Sequence, residues 1–262
     1  MNNQLLRTAS LLGCLLLLQG QTAAAQDSDT RVSLSAGAEF TSGTYGGDVD
    51  IEDTYVPFTA TADMGRVGLR LTVPYLSVRA PQGTIFDPDG VPIPGTGVMT
   101  TESGLGDVIG SMTFYNVLQN RRQGFAMDLT GKVKFATADE DKGLGTGAND
   151  YTVQADFFKF ADRVSLLGSI GYMFRGDATG VDLDNVLVAA AGVTFKVTPD
   201  VRTGLVFDFR ESAISGGDSV RELTGFVSRR VAENWRMQGF VLAGFSDSSP
   251  DWGAGLQIKR IL

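Results

Sequence analysis

Most side chains that carry enzyme chemistry are missing from this sequence. It contains no histidine and a single cysteine, Cys14. That removes Ser-His-Asp and Cys-His nucleophiles, histidine metal sites, disulfide frameworks and CxxC centres. The segment Gly143-Leu144-Gly145-Thr146-Gly147 has the look of a phosphate loop. It lacks the Gly-Lys-Ser/Thr ending and opens no helix, so it reads as a flexible hairpin tip. Acidic residues gather at Asp48, Asp50, Glu52, Asp53, Asp87, Asp89, Asp139, Glu140 and Asp141. None of these clusters has the spacing of a calcium loop, and a solvated surface is the expected role. The formal charge of −8 argues against a nucleic-acid partner, which would need a basic stripe. The chain is expected not to be an enzyme and to need no cofactor or metal.

The remaining chemistry is charge at alternate positions. Glu39, Arg70, Asp128, Lys132, Lys134, Asp156, Arg175, Arg202, Asp208, Arg210, Glu222, Arg236 and Lys259 all occupy the polar phase of segments whose other phase is apolar. Val67, Leu69, Leu71, Val73 and Tyr75, for example, alternate with Gly68, Arg70, Thr72 and Pro74. A period of two means strands, and helical periodicity is close to absent. With 33 glycines against 8 prolines, tight turns and close backbone approach fit the same reading.

About twelve strands of roughly ten residues each follow from this alternation. They fall near 30–41, 54–63, 67–78, 105–117, 125–137, 150–160, 164–175, 185–195, 201–210, 219–229, 235–246 and 252–262. Connections after odd strands are mostly long and rich in Gly, Asp and Ser, including 79–104 and 138–149. Those after even strands are mostly short, with 116–124 the one longer case. Residues 1–25 add an n-region arginine, Arg7, a short apolar run and Ala23-Ala24-Ala25. That is the pattern of a cleavable secretory signal peptide, too short to span a bilayer permanently. Cys14 lies inside the apolar run rather than after it, so a lipid anchor is not expected.

A signal peptide at 1–25 and strands across 26–262 predict an all-β fold, an antiparallel transmembrane β-barrel in the outer membrane. A secreted β-sandwich also alternates, but gives no reason for connections to alternate in length. Aromatics on the apolar phase favour the barrel: Phe40, Phe58, Tyr75, Phe135, Tyr151, Phe174, Phe209, Phe245 and Trp252 fall at one rim, Phe125 and Trp235 at the other. Such girdles mark a lipid interface. Lys159, Arg229 and Arg260 break the apolar phase, but only at ends of even strands, where they can snorkel to the rim. Both termini are expected on the periplasmic side.

A barrel of this size encloses a narrow lumen, lined by the polar-phase charges named above. Two readings stay open. Either the lumen conducts small solutes, with Lys132 and Lys134 forming a local positive patch, or its charges pair and close it, leaving a structural or surface-interaction barrel. A histidine-free membrane enzyme is a distant third.

Residues 104 onward resemble the meta-pathway phenol-degradation family of outer-membrane barrels. Gly104-Leu105-Gly106-Asp107-Val108, Lys132-Val133-Lys134-Phe135-Ala136-Thr137, Gly145-Thr146-Gly147-Ala148-Asn149-Asp150 and Phe207-Asp208-Phe209-Arg210-Glu211-Ser212-Ala213 carry the likeness. Ala136 and Ala138 stand where the family has a proline and a glycine. The resemblance implies uptake of small, in part aromatic, molecules and supplies no catalytic residues. The partners expected are outer-membrane lipids and lipopolysaccharide, small solutes and the barrel-assembly machinery.

Overall fold

The computed structural model describes residues 30–82, 85–86, 92–93, 97–140, 142–176 and 183–262. The expected signal peptide with Cys14, and the acidic residues Asp87, Asp89 and Asp141, lie outside the described residues. The strands are β1 (Arg31–Gly43), β2 (Ile51–Met64), β3 (Val67–Pro81), β4 (Ile85–Phe86), β5 (Pro92–Ile93), β6 (Met99–Leu105), β7 (Val108–Asn120) and β8 (Phe125–Phe135). They continue as β9 (Asp150–Ala161), β10 (Val164–Phe174), β11 (Val186–Lys196), β12 (Val201–Arg210), β13 (Val220–Ala232), β14 (Trp235–Gly244) and β15 (Trp252–Ile261). Every pairing is antiparallel, most join consecutive strands, β3 pairs with β6 and β7 across β4 and β5, and β1 pairs with β15 to close the sheet. With β6 and β7 sharing one place beside β3, the result is a closed barrel of twelve strands.

Polarity is inverted relative to a water-soluble sandwich. Leu34, Phe58, Leu71, Val153, Leu205, Val241 and Leu256 are exposed on the outer face. Threonines, glutamines and carboxylates fill the buried inner phase. Cross-strand threonines bond there, as in Thr59–Thr72 at 2.9 Å and Thr113–Thr130 at 3.0 Å. An apolar outside with a polar inside suits a barrel wall facing lipid.

The rims behave as the charges and aromatics predict. Phe40 packs on Trp252 with ring centroids 5.5 Å apart, and Tyr172 meets Phe174 edge-on at 5.1 Å. At the short-turn rim, Lys159 donates to the Gln123 carbonyl oxygen. Arg260 lies 5.4 Å above the Trp235 ring there, and Arg229 is exposed.

Two of the expected connections differ from the sequence reading. The expected long connection at 79–104 is partly strand, because β3 runs to Pro81 and pairs with β6. Thr100, Thr101, Glu102 and Ser103 of β6 are all exposed, so that stretch has no apolar phase for alternation to reveal. The expected connection at 116–124 is a tight turn instead. A bulge between Phe114 and Leu118 lets β7 continue to Asn120, with Asn116 at φ 52°. Asn120 then accepts from the Gln123 backbone N–H, and Gly124 closes the turn at φ 62°.

Candidate functional site

The thirteen charged residues named above share the strand phase of the buried polar side chains and fall into three groups. The first is a polar cluster on β2, β3, β7, β8 and β9. Asp128 and Asp156 face each other across β8 and β9, so each carboxylate needs its own donors. Asp128 accepts from the Asn116 backbone N–H at 2.7 Å, which the β7 bulge presents. Asp156 accepts from Gln154 Nε2 at 2.6 Å and from Thr130 Oγ1 at 3.5 Å. Lys132 Nζ donates to Gln154 Oε1 at 3.1 Å. Arg70 lies within electrostatic reach of Asp63, Tyr115 and Asp156, and the Tyr115 hydroxyl donates to Asp63 at 2.7 Å. The Tyr115 ring lies over Gly68, where a Cβ would meet its hydroxyl at 2.2 Å. Only glycine leaves room for it.

The second group closes round Lys134 near the long-loop rim. Its Nζ pairs with Asp150 at 2.9 Å and with Asp107 at 3.4 Å, and it donates to Thr146 Oγ1 at 2.7 Å. Arg175 pairs with the same Asp150 at 3.2 Å. Asp107 also accepts from the backbone N–H groups of Thr137 and Ala138, at 2.9 and 2.8 Å. Its position has a backbone cause: Pro74 cannot donate to a ladder. There β3 leaves β7 for β6, and Gly106-Asp107 interrupts the strand. The expected positive patch at Lys132 and Lys134 is therefore absent, because two carboxylates from the flanking strands, Asp150 on β9 and Asp107 just before β7, neutralise Lys134.

Residues 143–147 are not a free hairpin tip. Leu144 is fully buried in an apolar cluster with Tyr45, Ile51, Tyr55, Leu76, Val78 and Ala80. It packs over Gly104, where a Cβ would meet its Cδ1 at 2.6 Å. Three of the sequence segments carrying the family likeness, 104–108, 132–137 and 145–150, thus meet in one place. Their carboxylates, Asp107 and Asp150, were not singled out as site residues by sequence reasoning. The recurrence of Gly and Asp in those segments was the available signal. Asp63 and Tyr115 were likewise passed over, although both share the inward phase of their strands.

The third group lines β12 to β15 and β1. Asp208 and Glu222 are cross-strand neighbours, and Arg210 and Lys132 lie within electrostatic reach of Asp208. Glu39 is buried on β1, in register with Gly255. Below them an apolar wall carries Phe158, Leu167, Val206, Phe226, Phe240 and Leu242. Two of its rings lie along the wall over inward glycines. A Cβ at Gly204 would meet Phe226 at 2.8 Å, and one at Gly255 would meet Phe240 at 2.3 Å. Nearer the short-turn rim sit Arg202, Arg236 and Lys259, all half-buried.

The family described as "Putative MetA-pathway of phenol degradation" matches residues 20–255. No curated protein matches the sequence. Among solved structures, the COG4313 outer membrane channel from Pseudomonas putida F1 is similar, with a TM-score of 0.69 at 13% identity, covering 93% of this chain and 98% of that one. The KdgM porin is similar at a TM-score of 0.56 and 9% identity, over 87% of this chain and 98% of its own. The NanC porin also scores 0.56 at 9% identity, over 88% and 100%. At such identities the likeness is one of fold.

Proposed function

The chain belongs to the MetA-pathway phenol-degradation family, and on that premise we propose that it is an outer-membrane pore through which small solutes diffuse passively. Aromatic compounds are among the solutes this reading admits. The long connections would face outward, and the short turns and both strand termini would face the periplasm. The thirteen charged residues named above would line the path.

The observation that carries this reading is a set of polar atoms inside the barrel. Asp208 Oδ2, Thr224 Oγ1, Ser228 Oγ and Gln257 Nε2 are buried with no hydrogen-bond partner among the described residues. A dry core leaves few such groups, because each costs about 1–3 kcal/mol unmade. Side chains of this kind on several strands facing one interior suit a wetted lumen. The rings of Phe226 and Phe240 pack over glycines of the wall, at Gly204 and Gly255.

A second reading has its own support. Leu144 with its apolar cluster, and the Lys134 ion pairs, close part of the long-loop end. Planar-bilayer recording of the refolded protein separates the two. A pore gives stepwise conductance, and Lys132→Ala shifts its reversal potential toward cations with little loss of stability. Silent bilayers with correctly folded protein would refute conduction and leave the closed barrel.

A further inference from the structure

Four cations form a contiguous arc near the short-turn rim, more than the nearby acids balance. Arg230 and Arg236 are cross-strand neighbours on β13 and β14, Arg236 and Lys259 on β14 and β15, and Arg202 pairs in register with Ser228. Arg236 lies within electrostatic reach of Arg202, Arg230 and Asp200. Lys259 lies within reach of Arg70, Arg236, Arg31 and Asp63. Both acids are already engaged. Asp200 accepts from Arg230 Nε at 2.8 Å and Nη2 at 2.6 Å, and Asp63 accepts from Tyr115. Arg202, Arg236 and Lys259 make no hydrogen bond or ion pair of their own among the described residues, and the two acids within electrostatic reach, Asp200 and Asp63, are fewer than the cations they face.

Two neutral groups in the same patch lack partners too. Ser228 and Gln257 are 3% and 4% exposed, and Ser228 Oγ and Gln257 Nε2 have no hydrogen-bond partner among the described residues. Ser228 lies in register with Arg202 on one side and Gln238 on the other, and Gln257 follows Gln238 on β15. Hydroxyl and amide donors beside guanidinium forks make a set suited to a carboxylate, which guanidinium binds in bidentate fashion. Phe226 stands two residues from Ser228 on β13, and its cross-strand neighbour Phe240 stands two residues from Gln238 and four from Arg236 on β14. Same-phase residues two apart are separated by about 6.6–6.8 Å, roughly the length of a small apolar body attached to a carboxylate.

We propose that Arg202, Arg236 and Lys259, with Ser228 and Gln257, bind the carboxylate of a small organic anion whose apolar body rests on Phe226 and Phe240. The proposal deepens the pore reading by naming a solute class and a place in the lumen. It supplies the counter-charge the arc lacks, uses both unpartnered donors and gives the apolar wall an occupant. A neutral solute of the same shape would gain only the wall.

Titration calorimetry of the folded protein in detergent micelles, with micelle blanks and low salt, tests the site without requiring conduction. The probes are sodium benzoate and the uncharged phenol. Benzoate binds to the wild type at least tenfold more tightly than phenol. R202Q/R236Q weakens benzoate at least tenfold, whereas R202K/R236K, which keeps the charge, stays within about threefold; electrophoretic band shift confirms that each variant is folded. Equal affinity for phenol and benzoate, or benzoate binding unchanged in R202Q/R236Q, overturns the proposal. Benzoate binding by a protein silent in bilayers would uphold the site and refute the pore. Conduction without benzoate binding would do the reverse.

Discussion

Replacing Lys134 with Met tests whether the ion pairs near the long-loop rim are a dry structural unit. The lysine side chain is 8% exposed, and those of its partners Asp107 and Asp150 are 0% and 5% exposed. Breaking a buried pair by removing one partner costs about 3–5 kcal/mol, because a charge is left uncompensated. Here the stranded groups keep some donors: Asp107 retains the Thr137 and Ala138 backbone N–H groups, and Asp150 retains Arg175. The expected loss therefore sits at the low end, about 3 kcal/mol. Adding Asp107→Asn removes one stranded charge and should recover about 1–2 kcal/mol. Urea unfolding in lipid vesicles, followed by tryptophan fluorescence, measures both. The internal control is Arg230→Ala, whose pair with Asp200 is half exposed on each side and should contribute about 0–1 kcal/mol. A Lys134→Met loss no larger than the control's would show that water screens the cluster, and the reasoning would fail.

Val241 is 62% exposed on the outer face, so Val241→Arg should cost about 2–4 kcal/mol if that residue lies near the bilayer midplane; a loss below about 0.5 kcal/mol in vesicle unfolding would contradict a lipid-facing position. Gly255→Ala should destabilise by about 1–3 kcal/mol, because its Cβ would fall 2.3 Å from the Phe240 ring. Gly131→Ala, whose Cβ meets nothing within 4 Å, should be close to neutral in the same assay, and equal effects would undo the packing argument. Intact-mass measurement of protein taken from outer membranes should find a first residue at or near Gln26 with no lipid attached; an acyl adduct on Cys14 would reverse the expectation for residues 1–25.

The barrel was legible wherever one strand face meets lipid and the other does not. Leu69, Leu71 and Val73 against Arg70 and Thr72 report that contrast directly, since side chains alternate faces at every residue. The signal fails at Thr100 to Ser103 of β6, where neither phase is apolar. It fails also at Asn116, because a bulge is set by local backbone conformation rather than by periodicity. For the lumen, alternation put the thirteen charged residues on one phase but did not give their partners. Lys132 and Lys134 look equivalent in sequence, yet Lys134 meets Asp107 and Asp150 while Lys132 meets Gln154. That difference arises from strand register across the sheet, which pairing decides and one strand's sequence does not contain. The burial of Leu144 was equally hidden, because it depends on the small residue at Gly104 and on side chains from β2 and β3.

Closure of the sheet between β1 and β15 bears on how the chain reaches its native state. Consecutive barrel strands pair as neighbours in the chain, so each hairpin forms at small loop-closure cost. The seam alone joins distant residues, as where the Thr44 N–H meets the Asp251 carboxylate across 207 positions. Until it zips, β1 and β15 are open edges with unpaired backbone groups, free to recruit another chain. Along its middle the β1 side of the seam offers little side-chain bulk, with Ala36, Gly37 and Ala38 against Ile258, Gln257 and Leu256, and the Phe40–Trp252 ring contact lies nearer the long-loop end. Registration there depends on backbone bonding after the curved sheet has drawn its ends together. Substitutions at Gly37 or Ala38 should therefore act on the rate of the last step, and on the yield of monomer over aggregate, before they alter the finished barrel.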